Sequence, residues 1–552
     1  MDKMNIDKTK IAYFSAEIGI SPNLPTYSGG LGVLAGDHIK ASADMELPMV
    51  AVTLLYKEGY FKQEIDSQGK QRESYPNFDY KNHLKQLPNS VSINLRSRDV
   101  SIRCYQYIHK GLTDYEVPIF FLDVDLPEND IKDRNITLRL YSGDNTHRIL
   151  QEAILGFGGT MLLEKIGYKH FETYHMNEGH CSFLTLALLD KFNNDHEKVR
   201  SMCHFTTHTP VEAGHDQFSI NRCRKILNDI LPKKLDLPSW KDKERLHMTE
   251  LGLYYSRSAN GVSNLHGNIA QNQFPDFPIS YITNGVYHPH WISDPFSKLF
   301  DAKIPNWKLD PSVLLDLDAI TDDELYQTHQ EQKDTLIDYA NLKTNRELSS
   351  DMLTIGFARR AAEYKRAGLI FSDLDRLLEL GKGKIQFIFA GKAHPNDENG
   401  KQIIEDVVSS ATKLIGSIEI IYLENYEMKL GQLITSGVDV WLNTPLRPNE
   451  ASGTSGMKAA LNGIPNLSIL DGWWAEGCMH EENGWAIGAV DSNNDEEDVN
   501  SLYQLLENSV IPTFYNDKEK WSDMIRKSIV KGVGFTAYRM IQEYYSKFYQ
   551  HK

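Results

Sequence analysis

Residues 27–56 read YSGGLGVLAGDHIKASADMELPMVAVTLLY and combine three local patterns. A glycine-rich turn at 28–32 passes into small residues, which are typical of a helix that packs closely on a sheet. The run Met49–Tyr56 is continuously apolar, as expected of a strand buried on both faces. Because Ile11–Phe14 is a further strand-like run, the order strand, glycine turn, helix, strand predicts a βαβ unit of a doubly wound parallel sheet.

The same alternation returns in the second half of the chain. A capping box at Thr321-Asp322-Asp323-Glu324 predicts a helix that runs to about residue 340, and a second helix is predicted over 369–380. Four buried strands are predicted at 354–357, 385–390, 418–422 and 438–442. We therefore predict an α/β fold with two Rossmann-like doubly wound lobes that face each other across a cleft, where open sheets bind their ligands.

The predicted boundaries are 1–285 for the N-terminal lobe, 286–525 for the C-terminal lobe and 526–552 for a C-terminal helix. The turn-prone dipeptide Asn284-Gly285 marks the first boundary. The last segment has apolar residues at spacings of three and four, which form one helical face: Tyr538, Ile541, Tyr545 and Phe548. We expect this face to pack back onto the N-terminal lobe.

Composition excludes several classes of protein. The net charge of −16 argues against nucleic acid or an anionic membrane as the main partner. No apolar run is long enough to span a bilayer, and the polar start Met1–Lys8 has no signal core. The five cysteines are odd in number and form no CxxC pair, which indicates reduced thiols. A cytoplasmic protein is expected.

Two segments of this acidic chain are suited to phosphate. Arg359–Arg366 has four cations within eight residues, directly after a predicted strand, although a solvated basic helix face would look similar. Gly29–Gly32 leaves backbone amides accessible at a helix N-terminus, although tight strand-to-helix packing is the alternative. Anion binding is therefore expected at both segments.

The segment 449–463 reads NEASGTSGMKAALNG and is the most specific. Small residues expose amides, hydroxyls are available from Ser452, Thr454 and Ser455, and Lys458 lies in the first turns of the helix that follows. A helix N-terminus for a phosphate and an amine for a carbonyl suit a phosphorylated aldehyde cofactor. A generic phosphate loop, whose lysine only neutralises charge, is the alternative.

These segments resemble the glycogen and starch phosphorylases, in particular their short bacterial and archaeal branch. Glu450–Thr454 with Met457-Lys458 resembles the pyridoxal-phosphate signature of that family. Further matches follow in family order over nearly the whole chain: Ser28–Gly32, Thr207–Thr209, Thr283–Gly285, Arg359–Arg366 and Leu423–Tyr426. The chain departs from the long family members at Ser455-Gly456 and at Asp471-Gly472-Trp473-Trp474, and both features are typical of the short branch.

The resemblance implies a glycosyltransferase B type fold and retaining phosphorolysis of α-1,4-glucan (glycogen, starch or maltodextrin) with inorganic phosphate, releasing α-D-glucose 1-phosphate. It implies that Lys458 holds pyridoxal 5′-phosphate, whose phosphate acts as a proton relay. No metal and no pair of catalytic carboxylates is implied. The expected partners are the glucan and phosphate, and a homodimer is left open.

The resemblance also assigns roles residue by residue. Lys458, Arg360 and Lys365 are the implied catalytic residues. The cofactor is implied to be surrounded by Thr454, Ser455, Arg359 and the Gly30 amide. The substrate phosphate is implied to contact Gly30 and Tyr426. The glucosyl unit is implied to contact Glu450, Ser452, Gly453, Asn284 and His208, while Asp144-Asn145 resembles a mobile gate loop. We expect Gly30 from the first lobe to meet Arg360, Lys365 and Lys458 from the second.

Three other functions are weighed against this one. A nucleotide-sugar glycosyltransferase would share the fold, but it has no need of Lys458 in its Ser/Thr/Gly setting. A metal-dependent hydrolase or metal-binding protein could use the histidine-rich stretch His175, His180, His204, His208 and His215, which lacks an HExxH context. A catalytically silent sugar-binding scaffold could stack sugars on Trp473-Trp474.

Overall fold

The computed structural model describes residues 8–232, 244–489 and 494–550. The chain forms two compact units. The first unit comprises Met1–Phe61, Tyr75–Thr283 and Met540–Lys552, and the second comprises Lys62–Ser74 and Asn284–Arg539. Both are built from parallel strands and helices, which confirms the α/β class. None of the described helices combines the length and the hydropathy that crossing a bilayer requires.

The strands in chain order are β1 (Ile11–Ser15), β2 (Met49–Leu54), β3 (Lys62–Ile65), β4 (Gln71–Ser74), β5 (Lys85–Leu95), β6 (Arg98–Lys110), β7 (Glu116–Asp123), β8 (Thr173–Asn177), β9 (Cys203–Thr206), β10 (Gln217–Ser219), β11 (Arg245–His247), β12 (Ser258–Gly261), β13 (Ile279–Tyr281), β14 (Leu353–Ala358), β15 (Ile385–Ala390), β16 (Ile420–Leu423), β17 (Val440–Asn443), β18 (Asn466–Ile469) and β19 (Gly484–Ile487).

The α-helices are α1 (Gly30–Asp44), α2 (Ile131–Arg134), α3 (Asn145–Ala153), α4 (Gly159–Ile166), α5 (Phe183–Lys191), α6 (His196–Met202), α7 (Ile220–Leu227), α8 (Met248–Tyr254), α9 (Asn264–Gln273), α10 (His288–Trp291), α11 (Asp294–Lys303), α12 (Asp322–Thr344), α13 (Leu374–Gly381), α14 (Glu398–Lys413), α15 (Met428–Gly437), α16 (Thr454–Leu461), α17 (Trp474–Gly477), α18 (Asp495–Leu505), α19 (Ile511–Asn516), α20 (Lys518–Val533) and α21 (Ala537–Tyr544). Short π-helical turns continue α3, α18 and α21, at Ile154–Gly158, Leu506–Val510 and Tyr545–Tyr549.

In the first unit, nine described strands form one sheet in the order β13-β12-β9-β8-β1-β2-β7-β6-β5. The strands from β13 to β7 pair in parallel, and β6 and β5 are added antiparallel at one edge. The predicted βαβ unit is confirmed, since β1 and β2 are parallel neighbours joined through α1. The strand order reverses between β1 and β8, so the loops after these two strands diverge and leave space for a ligand.

In the second unit, six described strands pair in parallel in the order β16-β15-β14-β17-β18-β19. Numbered along the chain, this is the 3-2-1-4-5-6 order of the Rossmann fold, with its reversal between β14 and β17. Every residue of β14 and β15 is buried, as the continuous apolar runs predicted. The capping box at Thr321 is present and opens α12.

Two predicted elements differ from the structure in extent. The helix predicted over 369–380 is a 3₁₀ turn at Leu369–Phe371 followed by α13, because Asp373 accepts a hydrogen bond from the Arg376 amide at 2.9 Å and caps a new helix there. The C-terminal helix predicted over 526–552 is divided at Gly534–Thr536, where the backbone pairs with Val286. Accordingly α20 packs in the second unit, and the residues from Met540 onwards belong to the first.

The N-terminal ends of β14 and β17 are joined by a buried ion triad. The carboxylate of Asp439, just before β17, accepts from Lys333 Nζ at 2.6 Å, from the Thr354 amide at 2.7 Å and contacts His329 Nε2 at 3.0 Å. Burial alone would raise the pKa of Asp439, but Lys333 and His329 bring it below its ordinary value. Lys333 is fully buried, so each charge depends on the others for compensation.

We expect Asp439→Asn to lower the free energy of unfolding of the second unit by about 3 kcal/mol, because it leaves the Lys333 ammonium buried without its counter-charge. Urea denaturation at pH 7, followed by the fluorescence of the tryptophans in this unit, measures the change. Asp351→Asn is the matched control, since Asp351 is exposed near the start of β14, and its effect should stay within about 0.5 kcal/mol. Equal effects of the two substitutions would contradict the role given to the triad.

Candidate active site

A buried carboxylate holds two cations at the carboxyl edge of the second sheet. Glu450 Oε2 lies 2.5 Å from a terminal guanidinium nitrogen of Arg359 and 2.6 Å from Lys365 Nζ. Arg359 directly follows β14, and Glu450 lies in the loop after β17, so the strand-order reversal brings them together. All three side chains are more than nine-tenths buried. The predicted cationic segment is therefore not a solvated helix face at these two residues.

The electrostatics of this cluster keep Glu450 ionised. Burial by itself would raise its pKa, but Arg359 and Lys365 together lower it to about 2. Arg359 also donates to the amide oxygen of Asn443, the last residue of β17. The result is a fixed array of two cations and one anion at the end of two adjacent strands, with one net positive charge.

The loop after Glu450 leads into α16 without a side-chain cap. Gly453 is in the left-handed region with φ 85°, and no side chain caps the helix that begins at Thr454. The hydroxyl of Ser452 is buried and has no hydrogen-bond partner among the described residues. The uncapped helix start suits a phosphate, and the buried Ser452 hydroxyl suits a hydrogen bond to a phosphate or a sugar hydroxyl.

Lys458 lies in α16 and is buried, with its Nζ 3.6 Å from the centre of the Trp291 ring. An amine held against an aromatic face, one helical turn from the amides of Thr454 and Ser455, fits a phosphorylated aldehyde such as pyridoxal phosphate. The donor set agrees with that group: backbone amides and two hydroxyls for its phosphate, and one lysine for its carbonyl.

Three further predicted residues belong to the second unit: Arg360, Tyr426 and Asn284. Arg360 is exposed, in contrast to Arg359. Tyr426 follows β16 and is half-buried, and burial, opposed by Arg359, raises its pKa to about 12, so that it remains a hydrogen-bond donor. Asn284 is buried, and its side-chain oxygen has no partner in the described part of the chain.

The first unit holds the remaining predicted residues. Gly30 is the exposed first residue of α1, and a Cβ placed there would meet no described atom within 4 Å, which leaves the helix start open to an anion. His208 Nε2 lies 2.6 Å from Asn177 Oδ1, and its backbone amide donates to Glu178 at 2.7 Å. Burial, opposed by Glu178, lowers the pKa of His208 to about 4, so the ring is neutral at pH 7.

The predicted gate residues lie at a helix start. Asp144 caps α3 by accepting from the His147 amide at 3.0 Å, and Asn145 is the first residue of that helix. Both are exposed. Their exposed position is compatible with a segment that moves. The Asp144 cap fixes the residue at which α3 begins.

The sequence reasoning missed a set of polar residues after β1 and β8. Glu17 is buried, accepts from the Ser28 amide at 2.5 Å and from Tyr141 at 2.8 Å, and so ties the glycine-rich loop to the segment before α3. Glu178 lies at the corresponding end of β8 with φ 78°. The available signal was their position: each is a carboxylate that follows a buried strand beside the strand-order reversal.

Two members of the histidine-rich stretch, His175 and His204, are buried inside the first unit. His175 lies 2.6 Å from the Tyr549 hydroxyl and 2.9 Å from Thr206 Oγ1, while His204 contacts Ser258 Oγ and Asn260 Oδ1. Burial is the main cause that lowers the pKa of His204 to about 3. Among the described residues, no group of three His, Cys, Asp or Glu side chains is arranged to hold a metal ion.

Trp473 and Trp474 are both buried, with 1% and 0% of their surface exposed. The interpretation that they stack sugars at the surface is therefore wrong. Their hydrophobicity is used inside the second unit instead, where Trp473 packs edge-on against Phe535 at 4.8 Å between ring centres.

The chain is similar to known carbohydrate phosphorylases. A model of the carbohydrate phosphorylase family matches residues 216–503. The chain is 38% identical to the maltodextrin phosphorylase of Thermococcus litoralis over 98% of its own length and 70% of that protein. It is 37% identical to the glycogen phosphorylase of Mycobacterium tuberculosis (98% and 71% covered) and 34% identical to the glycogen phosphorylase of Aquifex aeolicus (98% and 86% covered).

We expect Glu450→Gln to destabilise the second unit by about 3 kcal/mol at pH 7, because two buried cations lose their counter-charge. The pKa of Glu450 is about 2 in the folded chain against an ordinary 4.5, so its contribution is complete above pH 4.5 and is lost as the pH falls towards 2. Thermal unfolding should therefore show the same difference between wild type and variant at pH 7 and pH 5, and a smaller difference at pH 3. Glu363→Gln, at an exposed position of the same cationic segment, is the control and should have little effect at any pH.

Proposed function

The chain belongs to the carbohydrate phosphorylase family, and from that premise we propose that it is an α-glucan phosphorylase. It would cleave α-1,4-linked glucose units with inorganic phosphate and release α-D-glucose 1-phosphate with retained configuration. One observation carries the proposal: an acidic chain of net charge −16 buries Arg359 and Lys365 around Glu450, in the loops that flank the helix of Lys458. Concentrated cations of this kind serve an anionic reactant.

Each of the three cations would have a distinct role in binding phosphate. Arg359, held by Asn443 and Glu450, would orient a phosphate through its planar fork, whereas Lys365 contributes a point charge. Arg360, which is exposed, would reach a phosphate that arrives from solution. Because the pKa of Glu450 is about 2, the carboxylate stays charged throughout the cycle and keeps both neighbouring cations in place.

The same residues support a role for pyridoxal phosphate. Lys458 would hold it covalently, with the amides and hydroxyls of Thr454 and Ser455 at its phosphate. When bound, the group supplies a second phosphate that exchanges a proton with the substrate phosphate. Two phosphates side by side repel each other, and the cations at the end of β14 offset that repulsion.

The glucosyl unit would be held by groups whose hydrogen bonds are incomplete. Ser452 Oγ and the Asn284 side-chain oxygen are buried without a partner among the described residues, and a sugar hydroxyl would satisfy either. Glu450 would accept from a further hydroxyl. Neutral His208 of the first unit is proposed as a sugar contact, Gly30 as a phosphate contact and Asp144-Asn145 as the gate.

A cytoplasmic location is part of the proposal. The five cysteines are free thiols, and four of them are buried. Burial raises the pKa of Cys203 and of Cys478 to about 12, which leaves both thiols protonated and unreactive. Reduced, inert cysteines agree with a reducing compartment.

We expect the purified chain to release glucose 1-phosphate from maltodextrin only when orthophosphate is present, as ³¹P NMR of the products measures. Lys458→Ala and Lys458→Arg should both lose turnover and the absorbance of bound pyridoxal phosphate, since neither offers an amine to the carbonyl. Lys429→Ala, at an exposed position of the same unit, should keep both. A Lys458→Ala enzyme that retains the cofactor absorbance would overturn the assignment, and turnover of a nucleotide sugar in place of phosphate would favour a synthase.

Replacing Arg360 by alanine should raise the KM for phosphate roughly 10- to 100-fold, because one charge-assisted contact to the phosphate is lost. Initial rates at varied phosphate and saturating glucan measure this effect. Arg346→Ala is the control, since Arg346 makes only a 3.9 Å ion pair with Glu419 and has no proposed role. Unchanged phosphate kinetics in the Arg360 variant would remove this residue from the site.

A further inference from the structure

The segment after β18 lies along the loop that holds Glu450. Asp471 Oδ2 accepts a hydrogen bond from the Glu450 amide at 2.9 Å, and Oδ1 accepts from the Gly472 amide at the same distance. Two residues further along each segment, the Trp473 amide donates to the Ser452 carbonyl at 2.8 Å. Asp471 and Trp473 thus hydrogen-bond to the backbone of Glu450 and Ser452, which bear two of the proposed sugar-binding side chains.

The packing around Gly472 and Gly456 leaves no room for a larger side chain at either position. Gly472 has φ 54°, and a Cβ there would lie 2.5 Å from the Ser452 carbonyl oxygen and 3.0 Å from that of Glu450. A Cβ on Gly456, in α16, would lie 2.8 Å from Trp473 Nε1. Only glycine permits these approaches, so the segment fits closely against both the loop and the helix that follows it.

We propose that Asp471 is a positioning residue for Glu450: its carboxylate fixes the loop backbone, and through it the array of Glu450, Arg359 and Lys365. The inference rests on the proposed function for its catalytic consequence, but the hydrogen bonds that carry it do not. Asp471 is fully buried and touches no reactant in this scheme. Its two acceptor oxygens each hold one backbone amide, which is the geometry of a structural brace.

The protonation state of Asp471 should tune this brace near neutral pH. Burial and the nearby Glu450 carboxylate raise its pKa, while the two amide donors and Lys365 oppose them, and the result is a value of about 7. The charged groups that face it are therefore Glu450 and Lys365. Above pH 7 both oxygens accept charge-assisted hydrogen bonds, whereas the protonated acid uses one oxygen as a hydroxyl and holds the amides less firmly.

Asparagine is an isosteric mimic of the protonated acid, which makes Asp471→Asn the decisive variant. The ratio of kcat/KM between wild type and Asp471→Asn should lie near one at pH 5.5 and rise to about tenfold at pH 8.5, the difference that one charge-assisted hydrogen bond makes. Taking the ratio cancels the ionisation of phosphate itself, which both enzymes share. Asp351→Asn is the matched control, because Asp351 is exposed near the start of β14, at the opposite edge of the same sheet, and its ratio should not vary with pH.

Hydrogen exchange of the full chain, followed by mass spectrometry, tests the positioning without any turnover. The peptide that contains residues 449–456 should exchange faster in Asp471→Asn and in Asp471→Ala than in wild type, while Asp351→Asn, at an exposed position, leaves that peptide unchanged. If Asp471→Ala fails to fold, Asp471→Asn alone decides this arm.

The outcomes separate the two proposals. Unchanged exchange at 449–456 overturns the positioning role, whatever the activity. Faster exchange with a ratio that is flat across pH overturns the coupling to catalysis. Faster exchange in a chain that releases no glucose 1-phosphate at any pH supports the brace and rejects the proposed function.

Discussion

The site of the second unit depends on the ion pairs that the Glu450 carboxylate forms with Arg359 and Lys365. The carboxylate neutralises one of two cations that would otherwise repel each other in a buried place, and it is itself ionised only because they are there. Each member therefore requires the other two. Such a triad costs desolvation, and a protein that only needed stability would do as well with apolar side chains. Under the proposed function, the cluster would serve a reactant that needs charge in a fixed position.

The same two strands serve stability at one end and chemistry at the other. At the N-terminal ends of β14 and β17, Asp439 joins Lys333, His329 and the Thr354 amide into a compensated cluster. At their carboxyl ends, Arg359 reaches across to Asn443 and Glu450, and Lys365 adds a second cation, which leaves one positive charge in excess. The closely packed sheet separates the two clusters. A buried charge can therefore be held at the carboxyl edge of the sheet without disturbing the packing of the core.

Local sequence patterns predicted several buried strands and the start of one long helix. Continuous apolar runs found β2, β14 and β15, and the capping box found the start of α12, because these signals depend on a few neighbouring residues. The errors arose where distant residues intervene. The predicted C-terminal helix is divided because Val286, some 250 positions earlier in the chain, pairs with its backbone at Phe535 and Ala537. Trp473 and Trp474, on which the alternative of a sugar-binding scaffold depended, are buried, and the sequence alone does not reveal this because a pair of tryptophans looks alike in a core and on a sugar platform.

By itself, the amino-acid sequence determined the α/β class, the cationic segment after β14 and the lysine-bearing helix start at 453–458, since periodicity and small-residue motifs are local properties. Tertiary structure alone decided which cation is buried and which is exposed, as Arg359 and Arg360 show, and which carboxylates brace the site. The bracing contacts of Asp471 and Glu17 were not predicted, because an acidic residue accepts from a distant backbone amide only when folding brings that amide within hydrogen-bond distance.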